Sequence, residues 1–237
     1  MKKLLAAVVV VVVVAIGALW WLRGNVDGLV KAGIEKYGSE MTQARVSVSA
    51  VEIRAVDGRG IIRGLTIGNP EGFKTPHAFS VGEIEVAIDA ASILKDVVVI
   101  RRISISAPDV IYERGEGLTN FDALQRNIAR YLGPAEKAEK KEGGKKLIVE
   151  QLVIRNAKAQ ASAAFMGGKT VSVPLPDIML HDIGKAKGGV TPGELGQTIA
   201  EALKQRLSSA ISFERLMKST GKLVEDAAKT VKGLFGR

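Results

Sequence analysis

The chain has 237 residues and a net charge of +9, with 34 lysines and arginines against 25 acidic residues. It contains no cysteine, which excludes disulfide bonds, thiolate chemistry and cysteine-ligated zinc sites. The positive charge would suit nucleic acid, but aromatic residues make up only 5% of the chain and no nucleic-acid-binding motif is present. We therefore expect no nucleic-acid partner. Anionic phospholipid is the more economical partner for the charge, and a merely solubilising role is the alternative.

The N-terminus has the pattern of a membrane anchor. Two lysines precede nineteen uncharged residues, Leu4 to Leu22, a run that just spans a bilayer core of about 30 Å. Trp20 and Trp21 suit the interface, and the lysines predict a cytoplasmic N-terminus. The sequence thus predicts a single-pass anchor over residues 1–25 in a bacterial inner membrane, with the bulk of the chain in the periplasm. A cleaved signal peptide is the alternative, but its small-residue site at residues 15–17 would lie inside the apolar run.

Residues 26–132 read as a short helix, a series of alternating strands and a second helix. The predicted elements are a helix from Val26 to Tyr37 that stops at Gly38, strands at 46–54, 61–67, 79–89, 97–105 and 110–112, and a helix from Phe121 to Tyr131 capped at Thr119-Asn120. Asp57-Gly58 supplies a hairpin turn. This order predicts an antiparallel meander with one apolar face and one wet face, the latter carrying Glu83, Glu85 and Asp89.

Beyond residue 132 the composition changes twice. Residues 133–146 are rich in Glu, Lys and Gly and predict a solvated linker. Further strands follow within 147–190, at 147–154, 157–164, 170–173 and 178–180, with a hairpin at Gly167-Gly168. Residues 191–237 predict amphipathic helices, which begin with a capping box at Thr191-Pro192-Gly193-Glu194.

Two interpretations of the C-terminal helices compete. Up to Ile211, the apolar stripe favours a helix that covers the apolar face of the sheet. From Lys218 to Arg237, a basic amphipathic helix on the membrane surface is equally well supported. The membrane-surface candidates in that segment are Lys218, Lys222, Lys229 and Lys232.

A faint internal repeat links three strand ends. The pattern apolar-x-apolar-x-x-Pro or Ala occurs at Leu65 to Pro70, Ile103 to Pro108 and Leu152 to Ala157. In each copy, an alternating strand ends at a residue that breaks or loosens pairing. The pattern predicts a repeated strand unit, and an ordinary sheet edge is the alternative.

The order of these segments resembles the N-terminal module of AsmA-like proteins, which are inner-membrane-anchored periplasmic proteins related to the bridge-like lipid-transfer proteins. The likeness rests on the anchor, the short helix and five segments: Val46-Ser47-Val48, Gly60 to Phe73, Ile84 to Asp89, Val99 to Pro108 and Gly117-Leu118-Thr119-Asn120. It covers residues 1–130 well and 147–190 loosely. Its motifs mark strand ends and carry no catalytic signature.

The resemblance implies an α+β fold, mainly β, in which a curved antiparallel sheet forms an apolar groove for acyl chains. It also implies a role in phospholipid homeostasis or outer-membrane biogenesis, with phospholipid or another envelope lipid as partner. Long members span the periplasm, whereas this chain has one or two units and cannot form a complete bridge. The groove candidates are Val48, Ile53, Ile62, Ile84, Val86, Ile88, Val99, Ile103 and Ile105, which would equally form an ordinary core if the groove were closed.

The sequence predicts no enzyme, cofactor or metal. His77 and His181 are the only histidines and have no metal-ligand spacing. His181-Asp182 lacks a nucleophile motif, and neighbouring residues on a strand point to opposite faces. The alternative function is a scaffold with a closed, LEA-like β-sandwich that binds an envelope protein partner. Self-stacking of copies through open sheet edges is a further alternative.

Overall fold

A computed structural model describes residues 26–54, 57–133 and 145–211. Within them the chain forms one ten-stranded mixed sheet with α-helices. The helices are α1 (26–42), α2 (Asn120–Leu132) and α3 (Pro192–Ala210), and the 3-10 turns are Ala90–Ser92, Ala164–Met166 and Lys185–Lys187. The strands are β1 (Val46–Ser47), β2 (Ala50–Arg54), β3 (Arg59–Ile67), β4 (Phe79–Ile88), β5 (Val97–Ser106), β6 (Asp109–Arg114), β7 (Lys146–Arg155), β8 (Lys158–Ala163), β9 (Val171–Val173) and β10 (Ile178–Ile183).

The ten strands combine into six long ones because consecutive strands share one pairing register. On β4, Ile84 lies opposite Ile105 of β5. Ser80, four residues before Ile84, lies opposite Asp109 of β6, four residues after Ile105, so the register is unbroken from β5 to β6. The same continuity joins β1 to β2 along β3, β7 to β8 along β5–β6, and β9 to β10 along β7–β8. In spatial order the long strands are β1–β2, β3, β4, β5–β6, β7–β8 and β9–β10.

A line of irregular residues crosses the sheet where the shorter strands meet. The registers align Ser49, Gly64, Gly82, Ala107 and Asn156 across five of the long strands. Three of them are left-handed, with φ of 60° at Gly64, 49° at Ala107 and 53° at Asn156. We call this set the bulge line. The pairing register is the same on both sides of these residues, so no strand carries an extra residue and all five strands pass the line in step.

The bulge line lets one face of the sheet stay apolar on both sides of it. In a regular strand, residues that share a face are separated by an even number of positions. Here the core includes both Ile62 and Leu65 on β3, and both Val81 and Ile84 on β4. These odd separations span the bulge line, so the irregular residue returns the apolar side chains to the same face.

The antiparallel meander predicted for residues 26–132 is confirmed, since all pairings among β1 to β6 are antiparallel. The sheet as a whole is mixed, so the prediction of an entirely antiparallel sheet is wrong for two pairings. β5 pairs with β7 in parallel, and β6 pairs with β8 in parallel. Parallel neighbours need a crossover connection, and here that connection contains α2. Two copies of the predicted repeat, Ile103 to Pro108 and Leu152 to Ala157, lie side by side in register. The third copy, Leu65 to Pro70, lies on the other side of the bulge line and does not share that position. All described strands belong to one sheet, rather than the two of a sandwich.

Helix α3 covers the apolar face, as the sequence predicted for the segment up to Ile211. Leu195, Leu203 and Leu207 join the same core cluster as the strands, and Leu207 is fully buried. The predicted capping box is confirmed, since Thr191 accepts from Glu194 N and the Glu194 side chain accepts from Thr191 N. The cap starts α3 beside β7, where Val190 bridges to Leu147.

Helix α1 protects the edge strand β1–β2 with polar side chains. Asp27 accepts a hydrogen bond from Ile53 N at 2.9 Å, and Glu35 accepts one from Val48 N at 2.9 Å. Lys31, between them on the same helix face, donates to Ser49 O at 3.2 Å. These side chains occupy backbone groups that would otherwise be free to pair with another strand.

Other local predictions have mixed outcomes. The hairpins at Gly58 and Gly167 are confirmed, and both glycines have a φ near +60°. Helix α1 does not stop at Gly38 but continues to residue 42. Gly38 lies inside the helix where Val46 packs against it, since a Cβ on Gly38 would lie 3.1 Å from Val46 Cγ1.

The predicted anchor, residues 1–25, lies outside the described residues, as do nearly all of the predicted linker and the segment after Ile211. Among the helices that are described, none combines the length and the apolar character needed to cross a bilayer.

The bulge line makes a testable prediction at Asn156, which has a φ of 53° and no side-chain hydrogen bond among the described contacts. Valine is strained in the left-handed region, so Asn156→Val should lower the free energy of unfolding by about 1–2 kcal/mol. Asn156→Gly should change it by less than about 0.5 kcal/mol. Urea denaturation measures the free energy of unfolding of both variants. Equal free energies for the two would show that the left-handed backbone at position 156 is not the cause of the loss.

Candidate functional site

Rows of apolar side chains cross the sheet from edge to edge. Adjacent strands place one residue of each opposite the next, and two such rows run perpendicular to the strands. The first row is Val51, Ile62, Ile84, Ile105, Ile154 and Ile178, and the second is Ile53, Gly60, Val86, Ile103, Leu152 and Leu180. The arrangement gives a continuous apolar strip across all six long strands.

The coverage of this strip changes along the strands. Close to the bulge line, Ile84, Ile103 and Ile105 are 5–8% exposed and belong to the core cluster that contains α3. Val48, at the edge strand, is also buried, at 3%. Four other candidates remain half-buried, and they lie on β2 to β4: Ile53, Ile62, Val86 and Ile88. The strip is therefore closed beside the bulge line and partly open toward the end of the sheet where β2 and β4 terminate.

Val99, like Ile53 and Ile88, is a groove candidate outside the core cluster, and it is the one that a shift in strand pairing removes from its expected position. The pairing of β4 with β5 shifts between Ala87 and Ile88, so Ile88 lies opposite Ile100. Ile100 is buried in the core at 8%, whereas Val99 is only half-buried and outside the cluster. The prediction followed strict alternation from Ile103, and the bulge reverses that alternation.

The opposite face of the sheet is wet, as predicted for Glu83 and Glu85, which are both exposed. Arg63 pairs with Glu83 at 3.1 Å and with Glu52 at 3.3 Å. Hydrogen bonds from Arg54 and then Arg63 lower the pKa of the Glu52 carboxyl. Asp89, predicted for this face, caps the turn at Ala90–Ser92 and pairs with Arg101 at 3.3 Å.

A buried polar network, which the sequence did not predict, lies at the opposite end of the molecule. Glu113 is 1% exposed, and its carboxylate accepts from Lys74 N, Thr75 N and the Thr75 hydroxyl at 2.7–3.0 Å. Asn120 is fully buried and donates to Asn69 Oδ1 at 2.9 Å, and the Asn69 amide donates to Thr75 O at 2.8 Å. Sequence offered the Asn69 and Asn120 motifs separately but no sign that they meet through Glu113.

An open cavity of about 700 Å³ lies beside this network and is separate from the apolar strip. Its lining includes Lys74, Arg126 and Arg130 together with Glu71 and Glu116. The mixed charge and the exposed position of these side chains give no convergent set of catalytic groups.

The two histidines do not come together in the structure. His77 lies before β4 at the network end, with Nε2 3.5 Å from Asp109 Oδ2, and Asp109 Oδ1 accepts from Gln160 at 2.8 Å. His181 is exposed on β10, next to Asp182. Within the described ranges, no group of three or more metal-ligating side chains is arranged to hold an ion.

Helices α2 and α3 are joined by an ion pair. Lys204 Nζ lies 2.6 Å from Asp122 Oδ1 and also donates to Gln125 at 3.1 Å. Burial opposes ionisation of Asp122, but hydrogen bonds from Lys204 and Thr119 outweigh it and lower the pKa of that carboxyl. Thr119 is the predicted cap of α2, and its hydroxyl donates to Asp122 at 2.7 Å. The pair fixes α3 over the apolar face.

The predicted membrane-surface lysines, Lys218, Lys222, Lys229 and Lys232, lie outside the described residues. Comparison with models of protein families and with curated proteins gives no match. The function must therefore be argued from the geometry of the chain itself.

The first prediction for this region concerns Glu113. Glu113→Ala leaves two buried N–H groups and the Thr75 hydroxyl without their acceptor, so the free energy of unfolding should fall by about 2–4 kcal/mol. Glu116→Ala, at an exposed position nearby, should change it by less than about 0.5 kcal/mol. Chemical denaturation compares the two, and an equally small effect at Glu113 would show that the network does not hold this end together.

The second prediction concerns pH. The Asp122 carboxyl has a lowered pKa in the folded state, so its stabilisation is complete above the unfolded value of 3.8 and is lost as the pH falls below it. We expect the stability difference between the natural protein and Asp122→Asn to be largest near pH 6 and to shrink between pH 4 and pH 2. Denaturation series at fixed ionic strength measure it, and a difference that does not vary with pH would contradict the ion pair.

Proposed function

We propose that this chain is a non-enzymatic, AsmA-like protein of the bacterial inner membrane that binds or passes lipid along its apolar strip on the periplasmic side. The observation that carries the proposal is the half-buried part of the strip. Ile53, Ile62, Val86 and Ile88 form an apolar surface on β2 to β4 that α3 leaves partly open. Contiguous apolar surface of this kind marks a binding site when it is rimmed by polar residues.

The dimensions suit an acyl chain. Neighbouring strands are about 4.8 Å apart, so the path from β2 to β5 is about 14 Å long. Half of a bilayer core of about 30 Å, the depth that one acyl chain fills, is about 15 Å. Each methylene removed from water contributes about 0.8 kcal/mol, so about ten would contribute about 8 kcal/mol before the cost of ordering the chain.

The fold brings together two of the motif segments on which the AsmA-like resemblance rests. The segment from Gly60 to Phe73 includes β3 and Asn69, and the segment from Gly117 to Asn120 provides the cap of α2 and Asn120. The buried network joins these two segments directly. This contact gives both motif segments the same structural role, which accounts for their presence together in one chain.

The size of the domain sets a limit on the mechanism. Six strands at about 4.8 Å and strand lengths at about 3.3 Å per residue give a body of a few tens of Å. Transfer across a wider space therefore needs an envelope protein partner or further copies. Stacking of copies through β1–β2 is disfavoured because Asp27, Lys31 and Glu35 of α1 already bind that edge.

A scaffold function is the second candidate, and the cover provided by α3 favours it. Ile84, Ile103 and Ile105 pack in one core with Leu203 and Leu207, as they would in a domain that holds no lipid. On this alternative the domain binds an envelope protein partner. The two candidates differ in whether Val86 and Ile88 contact lipid.

Substitution on β4 separates them. Val86→Glu combined with Ile88→Glu puts charge on the open part of the strip, so phospholipid that copurifies with the protein should fall at least fivefold. Ala87→Glu is the matched control, since Ala87 is exposed between them. Lipid mass spectrometry on residues 26–237, exported and purified without detergent, gives the lipid per mole. Denaturation midpoints show whether each variant folds.

If the doubly substituted protein loses its fold together with its lipid, the two positions belong to a core. If the natural protein carries no lipid, the scaffold is the better account.

A further inference from the structure

At one end of the sheet, the side chain of Leu94 is exposed to solvent among basic side chains. This end, which we call the proximal end, comprises the turn between β2 and β3, the loop between β4 and β5, the start of β7 and the turn at 184–189. We propose that the proximal end docks on the surface of an anionic lipid bilayer, with Leu94 inserted between the head groups. The inference deepens the proposed function, because it assigns the place where lipid would reach the strip.

Leu94 is 93% exposed at the tip of the loop between β4 and β5. The loop is held in shape, since the buried Ser92 hydroxyl donates to Asp89 O at 2.7 Å and accepts from Val99 N at 2.8 Å. Lys145 donates to the carbonyls on both sides of the leucine, Ile93 O at 2.6 Å and Lys95 O at 2.8 Å. The side chain is thus presented to the outside by a braced loop. Such a residue suits insertion into the boundary between head groups and acyl chains.

The charge of the proximal end suits anionic lipid. Its cations are Arg54, Arg59, Lys95, Arg101, Lys145, Lys146, Lys185 and Lys187, and its carboxylates are Glu52, Asp57, Asp89, Asp96, Glu150 and Asp182. Arg54 is paired with Glu52 at 2.7 Å. Asp89 is paired with Arg101, and Asp182 with Lys185 at 3.0 Å. Arg59, Lys95 and Lys187 form no ion pair with any described residue, so their charge is available to phosphate groups.

The cations lie close to Leu94 in the fold. Lys145 binds the leucine loop itself, and Lys146 is paired with Val97 at the start of β5. The turn at 184–189 packs on the same place, because a Cβ on Gly189 would meet the Lys146 side chain and Val97. The loop and the turn therefore form one surface.

The described part of the chain begins at this end. Asp27 binds Ile53 N, which places the described start of α1 beside the end of β2. The apolar run ends at Leu22, four residues before Val26, and four residues span at most about 14 Å. A run that crosses a bilayer would therefore hold the proximal end against its surface. The half-buried Ile53 and Ile88 lie at the same end, so the open part of the strip faces the lipid source.

The absence of cysteine from the chain makes a direct test simple. The full chain carries a single cysteine at Leu94→Cys, labelled with the environment-sensitive fluorophore NBD, in vesicles of phosphatidylglycerol and phosphatidylcholine. The control is Phe165→Cys, since Phe165 is 53% exposed at the opposite end of the sheet, after β8. We expect the emission at position 94 to rise at least threefold over detergent-free buffer and to be quenched by brominated acyl chains. The label at 165 should stay in water.

The charges are tested on the same labelled protein. Lys95→Glu with Lys187→Glu should remove most of the rise at position 94 in vesicles with phosphatidylglycerol and change little in pure phosphatidylcholine. Equal responses of the labels at 94 and 165, or a chain that does not associate with the vesicles, would overturn the inference. A label inserted at 94 in a protein that retains no lipid on β4 would leave the docking intact and remove the proposed lipid transport. Lipid retained on β4 by a protein whose label at 94 stays in water would remove the docking and leave the proposed lipid binding intact.

Discussion

Five of the six long strands cross the bulge line, and the residue at the crossing decides which side chains reach the apolar face. Without it, the two-residue period of a strand would turn Leu65 outward if Ile62 pointed inward. The residues of this line are in register, so the ladder of hydrogen bonds continues past them, as where Ala107 N donates to Arg155 O at 2.8 Å and Lys158 N to Pro108 O at 2.8 Å. The apolar strip, its cover by α3 and its partly open end all depend on this alignment.

The two ends of the sheet differ in their physical chemistry. At one end, Glu113, Asn69 and Asn120 satisfy one another in a buried network, and such a network is stable only when its members have partners. At the other end, a braced loop exposes Leu94 among cations and the strip is half-covered. A closed end and an open end on one sheet suit a domain that meets its ligand from one direction.

The sequence was sufficient for local structure and insufficient for pairing. The caps at Thr119 and Thr191 and the hairpin at Gly58 were predictable because each depends on residues close together in the chain. The parallel pairing of β5 with β7 was not predictable, because a long connection that contains α2 is compatible with either a parallel or an antiparallel β7. Two of the three copies of the repeat, those ending at Pro108 and Ala157, are neighbours in the sheet, but the pattern itself does not specify the direction in which they pair.

The candidate site shows the same division. Alternation correctly grouped Ile84 with Ile103 and Ile105, and it failed at Val99 because a register shift is not visible in the pattern of apolar residues. Glu113 was missed because one carboxylate in a strand pattern gives no sign of burial. The extent of cover by α3 depends on long-range contacts such as Lys204 with Asp122, which no local signal predicts.

The central claim is that acyl chains occupy the open part of the apolar strip. The most direct test replaces Val86, and separately Ala87, with a photoreactive amino acid in the full chain in cells, followed by mass spectrometry of the crosslinked protein. The account predicts a phospholipid adduct from position 86 and none from position 87, which lies one residue away on the opposite face. Adducts of equal yield at both positions, or a protein adduct at 86 in place of lipid, would contradict it.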